Sequence, residues 1–72
     1  MKLSYYADTD SLYIDLASRP SADSKEIADG VVIDFDESGT IVGIDIEHAS
    51  KILNLSELEL NQLPLISHLV RA

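Results

Sequence analysis

The sequence predicts a small α+β domain, an antiparallel β-meander of about five strands with a C-terminal helix packed on one face. Three observations predict it. Apolar and polar residues alternate with period 2 through several short β-branched runs, Asp- and Gly-rich turns separate those runs, and the spacing turns helical after residue 46. At 72 residues the chain forms one small domain. With 46% hydrophobic residues it is too apolar to stay unfolded.

Residues 2–6 and 11–16 alternate so that Leu3, Tyr5, Leu12, Ile14 and Leu16 share one face. The loop Ala7, Asp8, Thr9, Asp10 pairs Tyr5 with Leu12 and Leu3 with Ile14, and sets Lys2 opposite Asp15. Residues 17–24 form a turn-rich connection in which Pro20 cannot donate to a ladder. Residues 25–28 and 31–35 then fit a hairpin around a type I′ turn at Asp29-Gly30, with Lys25 facing Asp34. A four-residue turn from Asp36 to Gly39 leads into strand 40–46 and pairs Phe35 with Thr40. That loop length places Val31, Ile33, Phe35, Val42, Ile44 and Ile46 on one face and turns Ile41 outward; one residue fewer exposes Val42 and Ile44.

Helical spacing of Ala49 with Ile52 and Leu53 predicts a short helix within 47–54, with Glu47 near its positive end. Leu55, Leu58, Leu60 and Leu63 fit either a helix, through a Ser56/Glu59 capping box, or an alternating strand; the helix is preferred. Pro64 interrupts that segment, and Leu65, Ile66, Leu69 and Val70 make the stripe of a last helical turn. The chain thus divides into a sheet-and-helix part, 1–53, and a leucine-rich tail, 54–72, which belongs to the same domain or serves as a dimer arm.

Taken together, Tyr5, Asp10 followed by LYI at 12–14, DGVVIDFDESG at 29–39, VGIDI at 42–46 and Ala49-Ser50-Lys51 resemble the family known as domain of unknown function 2283. The resemblance covers residues 1–53. Where that family usually carries an Asp-Pro pair in the first turn, Tyr6 and Ala7 stand here. The resemblance implies a small antiparallel sheet with a helix, no recognised activity, no catalytic residues, and genes that lie beside those of small toxin-like proteins.

Composition narrows the function. Thirteen acids against five bases give a net charge of −8, and the five Lys and Arg residues are scattered. No phosphate-tracking stripe forms, and the negative field repels nucleic acid over roughly 8 Å at physiological salt, so direct nucleic-acid binding is not expected. No stretch is apolar enough to span a membrane, the start MKLSYY is unlike a signal peptide, and cysteine is absent; the expectation is a cytoplasmic protein.

Residues 34–45, DFDESGTIVGID, imitate a calcium loop, with Asp34, Asp36 and Ser38 at positions 1, 3 and 5, Gly39 at 6, Ile41 at 8 and Asp45 at 12. Strands flank this run where helices are needed, so a hairpin turn is the preferred reading. A divalent-cation module built on Asp34, Asp36 and Asp45, with Asp8 and Asp10 nearby, is the alternative. Asp45, Glu47, His48 and Ser50 fan out around a strand end and make a poor metal patch or hydrolytic triad; His68 is a boundary residue on the last apolar stripe. Gly30, Gly39 and Gly43 make no phosphate loop, and no cofactor is expected.

These features favour a non-enzymatic, acidic protein-binding module, an antitoxin-like partner of a small basic protein. Tyr6, Tyr13 and Ile41 form its outward contact face. Leu58, Leu63, Leu65 and Leu69 in the tail hold a homodimer, because so small a chain without a disulfide needs further support.

Overall fold

The β-branched runs fold as their alternation requires. A computed structural model describes residues 1–65. It contains β1 (Lys2–Tyr6), β2 (Ser11–Asp15), β3 (Asp23–Ala28), β4 (Val31–Phe35), β5 (Ile41–Ile46) and one short helix, α1 (Ala49–Ile52). The first hairpin has the expected register, Leu3 opposite Ile14, Tyr5 opposite Leu12 and Lys2 opposite Asp15.

All five strands are antiparallel, but their order is β1-β2-β5-β4-β3 and not that of a simple meander. Burial explains the difference. A strict meander would centre DSKEIA, a run with three charges that cannot be covered on two sides. In the observed order β3 is an edge with every residue exposed, and the apolar strands β2, β5 and β4 take the middle. The connection 16–22 crosses the sheet to deliver β3 to that edge. Along it the Leu16 amide donates to the Val42 carbonyl and the Ala22 amide to the Phe35 carbonyl.

Two bulges correct the predicted pairings. Ala28 faces Val31, but the ladder slips between Glu26 and Ala28, so Lys25 faces Ile33 and Ser24, not Lys25, faces Asp34. Of the turn residues Asp29 and Gly30 only Gly30 has a positive φ, +77°, whereas a type I′ turn needs two such residues. Between the paired Ala28 and Val31 the two-residue turn instead carries one left-handed glycine at its second position, and Ile27, which the ladder skips, is the extra, exposed residue of the bulge. Between β4 and β5, Ile33 faces Ile44, and a second slip after Asp34 sets Phe35 against Ile41 and not Thr40. Over the main ladder, where the predicted register would set Ile33 against Val42, the shift is two residues and preserves parity, so the predicted faces survive: Val42 is 2% exposed and Ile41 44%.

One face of the sheet therefore carries Leu3, Tyr5, Leu12, Ile14, Val31, Ile33, Phe35, Val42, Ile44 and Ile46. Of these only Leu12, Ile33 and Val42 are buried. The helix does not cover that face as predicted. It is a single turn whose one buried residue is Ala49, and Ile52 is exposed. Residues 55–65 form no helix: the Ser56 amide and hydroxyl bond the Asn54 side chain, closing an Asx turn where a capping box was expected, and Leu55, Leu58, Leu60, Leu63 and Leu65 are exposed. The last predicted helical turn, with His68 and Leu69, lies outside the described residues.

Candidate functional site

The outer face is polar. Residues opposite one another across neighbouring strands share a face, so Ser4, Tyr13, Asp45, Val32 and Glu26 form one row. Lys2, Asp15, Gly43, Asp34 and Ser24 form the next. Asp15, Asp34, Asp45 and Glu26 face a single strand cation, Lys2, among the described residues.

Across these rows the Tyr13 ring lies over Gly43, and its hydroxyl donates to Asp34 Oδ2 at 2.8 Å. The other Asp34 oxygen accepts from Ser24 Oγ at 2.6 Å. One chain of contacts thus runs from β2 over β5 and β4 to β3. It needs glycine at 43, because any Cβ there would meet the Tyr13 hydroxyl and lie 2.7 Å from Cζ. The phenol of Tyr13 is pushed up to about 12, first by donating to Asp34 and then by burial and the negative charges around it. Tyr13 is half-buried and committed to this network, while Tyr6 and Ile41 are exposed. Of the predicted tail contacts Leu58, Leu63 and Leu65 are exposed, and Leu69 lies outside the described residues.

A second junction ties the first turn to the helix. Asp10 adopts a left-handed φ of 52°, and its carbonyl accepts from the Ala49 amide at 2.9 Å. Its carboxylate accepts from Tyr5 Oη at 2.7 Å, the Ser50 amide at 3.1 Å and Ser50 Oγ at 2.7 Å. These donors, Tyr5 first, hold the Asp10 carboxyl below its usual range, and the same bond raises the Tyr5 phenol. Asp10 is thus a helix cap supplied from forty residues away. His48 occupies the local cap position at φ 54° with no side-chain cap bond, and no acid stands in the first turn, so Glu47 does not serve the helix as expected. Ser50 is occupied by Asp10 and forms no triad with His48.

The three carboxylates of the cation reading go separate ways. Asp34 is held by Tyr13 and Ser24, and Asp45 stands in the Tyr13 row. Asp36 folds back on its own turn: Oδ1 accepts from the Ser38 amide, Ser38 Oγ and the Thr40 amide at 2.9, 2.6 and 3.0 Å. Oδ2 pairs with Arg19 Nε at 2.9 Å. Among the described residues no group of three or more His, Asp or Glu side chains is disposed to hold a metal ion.

The Ser38 hydroxyl, with the Thr40 amide and Arg19 behind it, lowers the Asp36 carboxyl to about 2. A carboxyl lowered in the folded state contributes stability in full above its unfolded value, about 3.9, and loses it as the pH falls through the folded value. Carbon-detected NMR of Asp36 is expected to give a midpoint of about 2, and Asp36→Asn to flatten the acid limb of the stability profile. A midpoint near 4 would remove the turn's claim to that limb.

The sequence alone did not reveal the Tyr13–Asp34 and Asp10–Ser50 contacts. The first left a trace in Gly43, since glycine inside an otherwise apolar strand marks a close approach. The second left none, because it joins a turn to a helix start through a left-handed residue.

A family model described as a protein of unknown function, DUF2283, matches residues 2–50. An uncharacterised protein of Methanocaldococcus jannaschii is 39% identical over 62 residues, which cover 83% of this chain and 51% of that protein. The chain therefore spans about half the length of this curated relative. No solved structure matches. Among the described residues no helix is long and apolar enough to cross a membrane.

Proposed function

This chain belongs to the DUF2283 family, whose description assigns no activity, and we propose that it is a non-enzymatic binding module whose acidic outer face receives a small basic protein. The supporting observation is the sorting of charge: Asp15, Asp34, Asp45 and Glu26 share that face, with Lys2 as its strand cation. A field of one sign steers an oppositely charged partner and sets its orientation, while exposed Tyr6 and Ile41 on the margins supply apolar contact.

The test is co-expression with the product of the neighbouring gene, followed by stopped-flow binding. A basic neighbour is expected to form a complex whose association slows with salt more than its dissociation accelerates. Asp15→Lys with Asp45→Lys is expected to slow association on the order of tenfold. If the neighbour does not bind, or the double variant binds at an unchanged rate, the acidic face is not the contact surface.

A further inference from the structure

We infer that the edge strand β1 pairs antiparallel with β1 of a second copy of this chain, about a twofold axis through Ser4, so that two sheets join edge to edge as one. This inference does not rest on the basic-partner reading.

The two edges of the sheet differ in how they are guarded. An edge strand leaves alternate N–H and C=O groups without a strand partner, and proteins block such edges with charges, bulges or proline. β3 has that protection: Asp23, Lys25 and Glu26 line it, and the bulge at Ile27 breaks its ladder. β1 does not. It pairs with β2 over its whole length without a slip, holds no proline, and its single charge is Lys2. Its side chains are open to a partner as well, with Leu3 45%, Tyr5 46% and Tyr6 52% exposed. Tyr5 is held by Asp10, which is itself tied to the start of α1, so the edge is ordered before anything meets it.

Charge selects the occupant and its direction. Among the described residues β1 is the one strand with no Asp or Glu, so a second β1 brings to the joint none of the acids that give each copy its net charge of −8. The strand that fits this edge carries a cation where it meets the turn holding Asp8 and Asp10, and β1 run antiparallel does so with Lys2. Parallel pairing would set Lys2 beside Lys2 and acidic turn beside acidic turn. The nearest strand carboxylates, Asp15 on β2 of each copy, stay at least three strand spacings apart, about 14 Å, beyond the roughly 8 Å over which exposed charges act at physiological salt.

Parity fixes the register. The apolar and polar faces continue from one copy to the other only if facing residues come from the same side of the sheet. With Ser4 on the axis, Leu3 meets Tyr5 of the other copy on the apolar side, and Lys2 meets Tyr6 of the other copy on the polar side, where a cation against an aromatic ring is favourable. Moving the axis to Leu3 or Tyr5 leaves the ends of the two strands unpaired. The joint is short, about 17 Å for a strand of this length, so the dimer is weak and assembles with concentration.

Sedimentation equilibrium is expected to give 7.9 kDa at about 10 μM and to approach twice that at about 1 mM. In a sample mixing labelled and unlabelled protein at the higher concentration, isotope-filtered NMR is expected to show contacts between the Leu3 methyls of one copy and the Tyr5 ring of the other. Ser4 meets its own image across the axis, so a charge of either sign placed there opposes itself. Ser4→Lys and Ser4→Glu are each expected to weaken the dimer about threefold to tenfold with circular dichroism unchanged, and an equimolar mixture of the two to recover it as a heterodimer. A mass that stays at 7.9 kDa throughout, contacts between copies confined to β3 or to the tail leucines, or a mixture of the two variants no more associated than either alone would overturn the inference.

Discussion

Replacing Gly43 with alanine is expected to destabilise the protein by about 1.5–3 kcal/mol, the range for losing a hydrogen bond to a charged group. The new methyl would occupy the space of the Tyr13 ring, so the ring must swing off β5 and release Asp34. For a domain whose total stability is of order 5–15 kcal/mol, that is a large share. A double-mutant cycle separates this account from a general cost of altering β5. In a Tyr13→Ala background there is nothing for the methyl to displace, and alanine in a strand is about 0.5–1 kcal/mol better than glycine, so Gly43→Ala should become neutral or stabilising. Tyr13→Phe alone removes the donor and keeps the ring; urea denaturation should place it near the lower end of that range. Its alkaline titration should also lose the phenol with a midpoint of about 12. Because that value is raised in the fold, the Tyr13–Asp34 contribution is fully present below about pH 10 and is lost as the pH climbs through the folded value. Equal cost of Gly43→Ala in both backgrounds would refute the spacer role.

The second large effect is expected at Asp10. Asp10→Ala deletes the acceptor for Tyr5 and Ser50 and forces alanine into a left-handed backbone, so the turn Ala49–Ile52 should come loose. Hydrogen exchange at the Ser50 and Leu53 amides, which bond Asp10 and the Ala49 carbonyl, is expected to accelerate on the order of tenfold or more. Asp10→Asn tolerates the left-handed φ and keeps one acceptor oxygen, so it should fall between alanine and the native residue. The folded Asp10 carboxyl is lowered, so the native cap holds above the ordinary carboxylate range and weakens as the pH falls through its folded value. Unchanged exchange in Asp10→Ala would show that the turn holds without its remote cap.

What the sequence made legible was governed by parity. Period-2 alternation assigns a residue to one side of a sheet whatever its exact partner, so Val42 inward and Ile41 outward survived a register error of two. Partner identity was less legible, because the bulge at Ile27 leaves no compositional mark beyond a glycine that also suits a tighter turn. Strand order was obscured for another reason: sequential strands usually pair, and only the polarity of DSKEIA argued for an edge. The candidate site was the least legible. Carboxylates at calcium-loop spacing looked convergent along the chain, yet alternation sends Asp34 to Tyr13 while the turn curls Asp36 onto its own amides.

The strand order also fixes when the parts of the sheet meet. The β1–β2 hairpin and the β3–β4–β5 run are each closed by short loops, whereas joining β2 to β5 must close a loop of more than twenty residues. Closure entropy makes such a joint slower to form than either local unit. The sheet is therefore two quick halves and a late seam. The contacts from Tyr13 to Asp34 and from Asp10 to Ser50 both cross that seam, linking residues of the first half to residues of the second. They serve as latches: they add nothing to the growth of either half and resist the moment at which the halves part. Their loss should appear as faster unfolding rather than slower folding.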